Sequence, residues 1–285
     1  MHNPHIFHIH RTCFLGFDCF GPNRYSFPSR TDLLSPCVKA MCGRYVLAGE
    51  TSAISDAFEA DPVEVPKRME AYNAAPGTFM PVVVANRPGR SAGSGSGSGS
   101  APSPSSSSSS SARPNSLRML RWGLVPIWSK DESRAYSLIN ARSETLASKP
   151  SFRDAFRSRR CVIPANGFYE WEPGRSAPRQ PWYVRPVDER HGAGSPKPAT
   201  PGGAEPAEQP GPWMAMAGLY EHWKTPSGAW LSTYTIVTVP AGPDIERLHH
   251  RMPALLSPQE CACGWIRKSS GGPARSGAAP LPCRK

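Results

Sequence analysis

The stretch STYTIVTV, residues 232–239, is almost wholly β-branched or aromatic. Such side chains are stiff at χ1 and pack well on a pleated surface, so this stretch reads as a strand. The same character recurs at 44–48, 80–86 (MPVVVAN), 117–122, 160–163, 168–171, 182–185 and 214–219, each run bounded by glycine or proline. About seven or eight strands with little helix between them point to a mostly antiparallel α+β fold with a barrel-like or sandwich β core. Helix is expected at 51–59, where Ile54, Ala57 and Phe58 keep helical spacing, and in single turns at 144–148 and 152–157. Ser257-Pro258-Gln259-Glu260 forms a capping box with proline at the first helical position, which predicts a last helix running to Trp265.

The chain has 285 residues, of which 39% are hydrophobic, enough for a sizeable core. Its 33 prolines and 25 glycines are too many for one compact body, and much of the excess is concentrated. Residues 91–111 read SAGSGSGSGSAPSPSSSSSSS, and residues 188–212 are rich in Pro, Gly, Ala and Glu. Neither carries side chains to bury, and lengthening a surface loop costs only about 0.6 kcal/mol per doubling, so both read as disordered loop insertions. They divide one domain, 42–268, into three islands, and 269–285 reads as a disordered tail. Residues 1–41 have neither the apolar core of a signal peptide nor the pattern of a transit peptide, and read as a disordered extension from an upstream start or a removed segment.

A net charge of +11 favours a polyanionic partner, since phosphates attract basic surfaces and release counterions on binding. No run of 18 apolar residues is present, so no membrane span is expected. The eight cysteines, at 13, 19, 37, 42, 161, 261, 263 and 283, include no CxxC pair, which argues against a disulfide framework or a structural zinc site. Neither metal nor other cofactor is expected.

Cys42 follows Met41 directly. Exposed as a first residue, it would hold a free amine and a thiol together, a 1,2-aminothiol that condenses with an aldehyde to an imine and then closes a five-membered ring through sulfur. An α-amino group with a pKa of roughly 7.7–8.0 is partly neutral at physiological pH and so able to attack. Other residues have both plain and functional readings. Glu170 is either a solvated edge residue of an aromatic strand or an interior carboxyl fitted for general acid–base work. Asn140 could cap the turn that follows it. Arg142 could be a surface charge, and His249 an ordinary satisfied histidine. As a set, an N-terminal cysteine, an asparagine, a glutamate and a histidine are what making and holding an imine requires.

Seven segments make the sequence familiar. They are Met41-Cys42-Gly43-Arg44-Tyr45, Tyr72-Asn73-Ala74-Ala75-Pro76, the run from Arg121 to Trp128, Asn140-Ala141-Arg142-Ser143-Glu144-Thr145, the run from Pro164 to Trp171, Ala217-Gly218-Leu219-Tyr220, and His249-His250-Arg251-Met252-Pro253. In this order, across residues 42–266, the chain resembles the SRAP (SOS response-associated peptidase) family, whose members crosslink to abasic sites in single-stranded DNA. The resemblance implies that Cys42 forms a thiazolidine with the ring-opened deoxyribose. It implies that Asn140 orients sugar and amine, that Glu170 shuttles protons, and that His249 assists ring opening and reversal. It makes Arg44 and Arg142 phosphate clamps, and Trp122, Trp128 and Trp171 candidates for base stacking, the usual means of holding a single strand without reading its sequence.

The implied partner is single-stranded DNA bearing abasic sites, with replication-fork proteins as further candidates, and the protein is expected to act as a monomer. Its place would be the nucleus of a eukaryote, or the cytoplasm and nucleoid of a bacterium. Cys42 could be exposed by methionine aminopeptidase or by self-cleavage. The chain beyond Pro253 is short and shows no terminal strand of the kind family members carry. Two rival functions remain open at this level: a cysteine or N-terminal-nucleophile peptidase acting on other proteins, and a non-covalent reader of single-stranded or modified DNA.

Overall fold

A computed structural model describes residues 43–86, 113–171, 173, 180–186, 213–257 and 265–266, together with the backbone of 7–11. The strands are β1 (Phe7–Arg11), β2 (Arg44–Glu50), β3 (Ala60–Val63), β4 (Arg68–Ala74), β5 (Phe79–Ala85), β6 (Asn115–Trp122) and β7 (Asn140–Arg142). They continue with β8 (Arg160–Ala165), β9 (Gly167–Trp171), β10 (Pro181–Pro186), β11 (Met214–Lys224), β12 (Trp230–Pro240) and β13 (Arg251–Pro253). Three short helices join them: α1 (Thr51–Ala57), α2 (Pro150–Ser158) and α3 (Pro243–Glu246). The mostly antiparallel α+β reading therefore holds.

The strands β12, β11, β8, β5 and β6 pair in that order, and a parallel contact between β6 and β12 joins the two ends into a closed barrel. Closure removes the free edges that an open sheet of this composition would present. Strands β7 and β13 lie alongside β12, and β3 alongside β6. A second sheet runs β1-β10-β9-β2-β4. Tyr45 from β2 and Phe168 from β9 face each other in register and enter the same core as the barrel residues.

The seam of the barrel is built on Trp122 at the end of β6. Its register partner is Tyr234, with ring planes nearly parallel at 6.3 Å, while Tyr45 meets it edge-on at 5.2 Å. Its indole N–H donates to the Ile139 carbonyl at 3.0 Å, and the Tyr45 and Tyr234 hydroxyls share a hydrogen bond of 2.7 Å. The turn beyond the seam needs Gly123, whose φ of +116° disfavours any side chain and whose Cβ position lies 3.0 Å from the Ala135 carbonyl oxygen. The pairing of β11 with β8 and β12 depends likewise on Gly218, where a Cβ would crowd Ile163 Cδ1 and lie 2.9 Å from the Thr235 carbonyl oxygen.

Several strands escape the sequence reading. Among the described residues strand β4 pairs only with β2, and four of its seven positions, Arg68, Glu70, Tyr72 and Asn73, are exposed, so its RMEAYNA sequence looks polar. Strands β7 and β13 span three residues each and exist because the long β12 offers them hydrogen bonds. In the segment 1–41, read as lying outside the fold, the backbone of Phe7–Arg11 runs antiparallel along β10. The inserts 91–111 and 188–212 and the tail 269–285 fall outside the described residues, as do 258–264, on which most of the expected last helix falls. No helix among the described residues is long and apolar enough to cross a membrane.

If the seam carries the core, Trp122→Ala lowers unfolding free energy by about 3–5 kcal/mol. Trp122→Phe, which removes the indole bond to the Ile139 carbonyl but leaves that oxygen its bond from the Ile236 N–H, costs about 0.5–1.5 kcal/mol. Urea titration followed by far-ultraviolet circular dichroism reads both.

Candidate active site

Glu170 sits in β9, where alternation places it with Phe168 on the face turned to the core. It is 3% exposed, so the solvated-edge reading is excluded. Directly opposite it in β10 stands Trp182, whose ring lies 5.4 Å beneath the Arg247 guanidinium. Arg247 is two residues before His249, so this cation–π contact lays the His249 segment beside Glu170's strand.

The Asn140 segment joins from the other side. Strand β7 lies parallel to β12 with Asn140 opposite Ile236, and β13, two residues after His249, pairs with β12 through Thr238, Val239 and Pro240. An ion pair fastens the two. Arg251 grips both Glu144 oxygens, at 2.7 and 2.9 Å, and donates to the Thr238 carbonyl at 2.6 Å. The Arg251 backbone N–H donates to His249 Nδ1 at 3.1 Å, and the His249 ring stacks on His250 at 4.4 Å. Asn140, Glu170 and His249, far apart in sequence, are thus tied to one region by contacts of Trp182, Arg247, Arg251 and Glu144. None of those four stood out as a site residue in the sequence. The alternation linking Trp182 to Glu170 and the position of Arg251 beside His249 were the available signals.

The remaining predicted residues scatter. Cys42 lies outside the described residues. Arg44 is paired opposite Tyr169, on the face of the sheet away from Glu170. Burial lowers its pKa, and its Nε is a buried donor with no hydrogen-bond partner among the described residues. Trp182 Nε1 is another such donor. Unfilled buried donors of this kind suit an incoming phosphate or sugar oxygen. Arg142 is exposed at the end of β7. Trp171 is half-buried on the Tyr169 face, and Trp128 is 52% exposed in the loop after β6.

Trp122 requires a correction. At 1% exposure and locked in the barrel seam, it belongs to the core, and no base can stack on it while the barrel is closed. Residues that sequence reading passed over are better exposed nearby: Phe79 and Tyr136, the latter's hydroxyl 3.3 Å from where a Gly77 Cβ would lie. No group of three or more His, Cys, Asp and Glu side chains able to hold a metal occurs among the described residues.

The Glu144 carboxyl is held down at about 2, first by its hydrogen bonds from Arg251. A depressed carboxyl pKa adds stability above the unfolded value, near 4.5, and loses it as pH falls toward 2. Glu144 is 48% exposed, so screening keeps this contribution to about 1 kcal/mol. Glu144→Gln should lower the melting temperature at pH 7 and converge on wild type by pH 2, which differential scanning calorimetry checks.

Residues 41–281 match the family model described as SOS response associated peptidase (SRAP). The abasic site processing protein YoqW of Bacillus subtilis is 33% identical over 234 residues, covering 82% of this chain and 83% of its own. The abasic site processing protein HMCES of Gallus gallus is 36% identical over 158 residues, 52% of this chain and 44% of that protein. Among solved structures, a Bacteroides thetaiotaomicron protein superposes with a TM-score of 0.56 at 20% identity, covering 81% of this chain and 83% of its own, a likeness of fold. A closed barrel carrying an interior glutamate beside a histidine segment, together with a family match running through nearly the whole described region, settles the affiliation: the chain belongs to the SRAP family.

Proposed function

We propose that the protein processes abasic sites in single-stranded DNA by capturing them covalently through Cys42 as an N-terminal residue. The observation that carries this reading is the interior carboxyl of Glu170, held beside the His249 segment by Trp182 and Arg247. The abasic site processing relatives support the substrate class.

The chemistry balances without an external reagent. The Cys42 amine attacks C1′ of the ring-opened deoxyribose, giving a carbinolamine. Its hydroxyl takes a proton from Glu170 and leaves as water, and the nitrogen gives its proton back to the Glu170 carboxylate, forming an imine. The Cys42 sulfur then bonds to the imine carbon, the thiol proton passes to nitrogen, and the product is a thiazolidine. Proximity drives the closure, because amine and thiol belong to one residue. Asn140 orients the sugar and the amine, and His249 assists opening of the deoxyribose ring and reversal of the link. Freeing Cys42 requires a methionine aminopeptidase to remove Met41 where translation starts there, or hydrolysis before Cys42 at the site itself where the leading segment is present.

Binding of the strand rests on charge and stacking, with a net +11 chain and exposed Trp128, Tyr136 and Phe79 as platforms and Arg44 and Arg142 on phosphates. Each base stacked on an aromatic contributes roughly 1–3 kcal/mol. Selectivity comes from the aldehyde, which an intact nucleotide lacks. The protein acts as a monomer at chromosomal DNA, in a nucleus or a nucleoid, with replication-fork proteins as neighbours.

On a denaturing gel, protein beginning at Cys42 gives a covalent band with abasic single-stranded DNA, and Cys42→Ala gives none. A native shift that survives Cys42→Ala with no covalent band in either protein would mean a non-covalent reader. Trapping by peptide electrophiles with no dependence on DNA would mean a peptidase acting on other proteins. Glu170→Gln slows band formation by about 100-fold or more, the usual size of a lost proton-transfer group. Mass spectrometry of the mature amino terminus establishes whether cysteine is residue one.

A further inference from the structure

The Glu144–Arg251 pair does more than join two strands. Arg251 is 7% exposed, and the two terminal nitrogens of its guanidinium are engaged toward β7 and β12: two bonds to one carboxylate and one to the Thr238 carbonyl. A guanidinium fixed by three bonds leaves its own backbone little freedom. That backbone is what touches the catalytic candidate, because the Arg251 N–H donates to His249 Nδ1 at 3.1 Å. A nitrogen that accepts from a backbone N–H cannot carry a proton. The neutral ring must therefore bear its hydrogen on Nε2, an atom buried in the site.

We propose that Glu144 is a positioning residue for His249: by clasping Arg251 it holds the Arg251 backbone N–H on Nδ1 and so fixes the imidazole as the Nε2–H tautomer. The proposal rests on the abasic-site reading for the reaction that His249 serves, while the tautomer itself belongs to the free protein. The clasp also explains an otherwise odd feature. A half-exposed carboxylate in a turn after a three-residue strand is a weak place for a stabilising ion pair, but it is well placed to fix the residue that follows His249-His250. The bond to Nδ1 is made within the His249 loop, but a sequence separation of 107 between Glu144 and Arg251 means that the clasp steadying that loop is imposed by the fold.

The test uses Glu144→Gln and Arg251→Lys in protein that begins at Cys42, alongside wild type. Nitrogen-15 NMR of the histidine rings gives the tautomer of His249, and single-turnover crosslinking to an abasic oligonucleotide gives a maximal rate and a half-saturating DNA concentration. Both variants should show mixed tautomers at His249. The maximal rate should fall about 10- to 100-fold, as when an orienting outer partner is removed, with the half-saturating concentration unchanged. Thermal melting identifies temperatures at which all three proteins are folded, so loss of fold is kept apart from loss of orientation. An unchanged tautomer overturns the proposal. So does a shifted tautomer with an unchanged rate, or a loss confined to the half-saturating concentration, which would make Arg251 a DNA contact. If wild type forms no crosslink, the abasic-site reading fails, and the tautomer measurement still decides the positioning role.

Discussion

The parallel contact of β6 with β12 is the constraint on which the molecule depends. It turns a curved sheet into a barrel, and it does so at two residue pairs, Arg121 with Thr233 and Trp122 with Tyr234. Tyr45 reaches the same point from the second sheet through its ring and its hydroxyl, so a single aromatic cluster closes the barrel and docks the sheet that carries Glu170. Buried aromatics are large enough to fill such a junction and specific enough in geometry to fix it.

The site follows from that junction. Strand β12 is 11 residues long, and its outer half extends beyond the seam. There it offers backbone hydrogen bonds to β7 on one side and β13 on the other, which delivers Asn140 and the His249 segment to neighbouring positions. Strands β9 and β10 bring Glu170 and Trp182 across from the second sheet. The three candidate residues thus come from three pieces of chain far apart in sequence, and the barrel holds those pieces together.

Charge plays different parts at different places. The Arg251–Glu144 pair is internal to the protein and sets geometry. Arg44, partly buried with an unfilled Nε, keeps a donor in reserve, and Arg142 is exposed to solvent. A basic composition alone distinguishes none of these roles.

The eight β-branched and aromatic runs, the helix after the first of them and the helical turns at α2 were legible from sequence, because local stiffness and alternation depend on the chain itself. That Asn140, Glu170 and His249 each lie in a recognisable motif was legible too, since motifs are local runs of sequence. The short strands β7 and β13 were not, because their hydrogen bonds are made with β12 and three residues carry no period of their own. Nor was the fate of Trp122, whose place depends on Tyr45 and Tyr234 at distances of 77 and 112 residues along the chain, or the burial of Glu170 and its approach to the His249 segment. Sequence determined which residues are strand-forming and which are chemically apt. Tertiary structure decided which aromatic is core and which carboxyl is interior, because burial is a property of what packs against a side chain and not of the side chain itself.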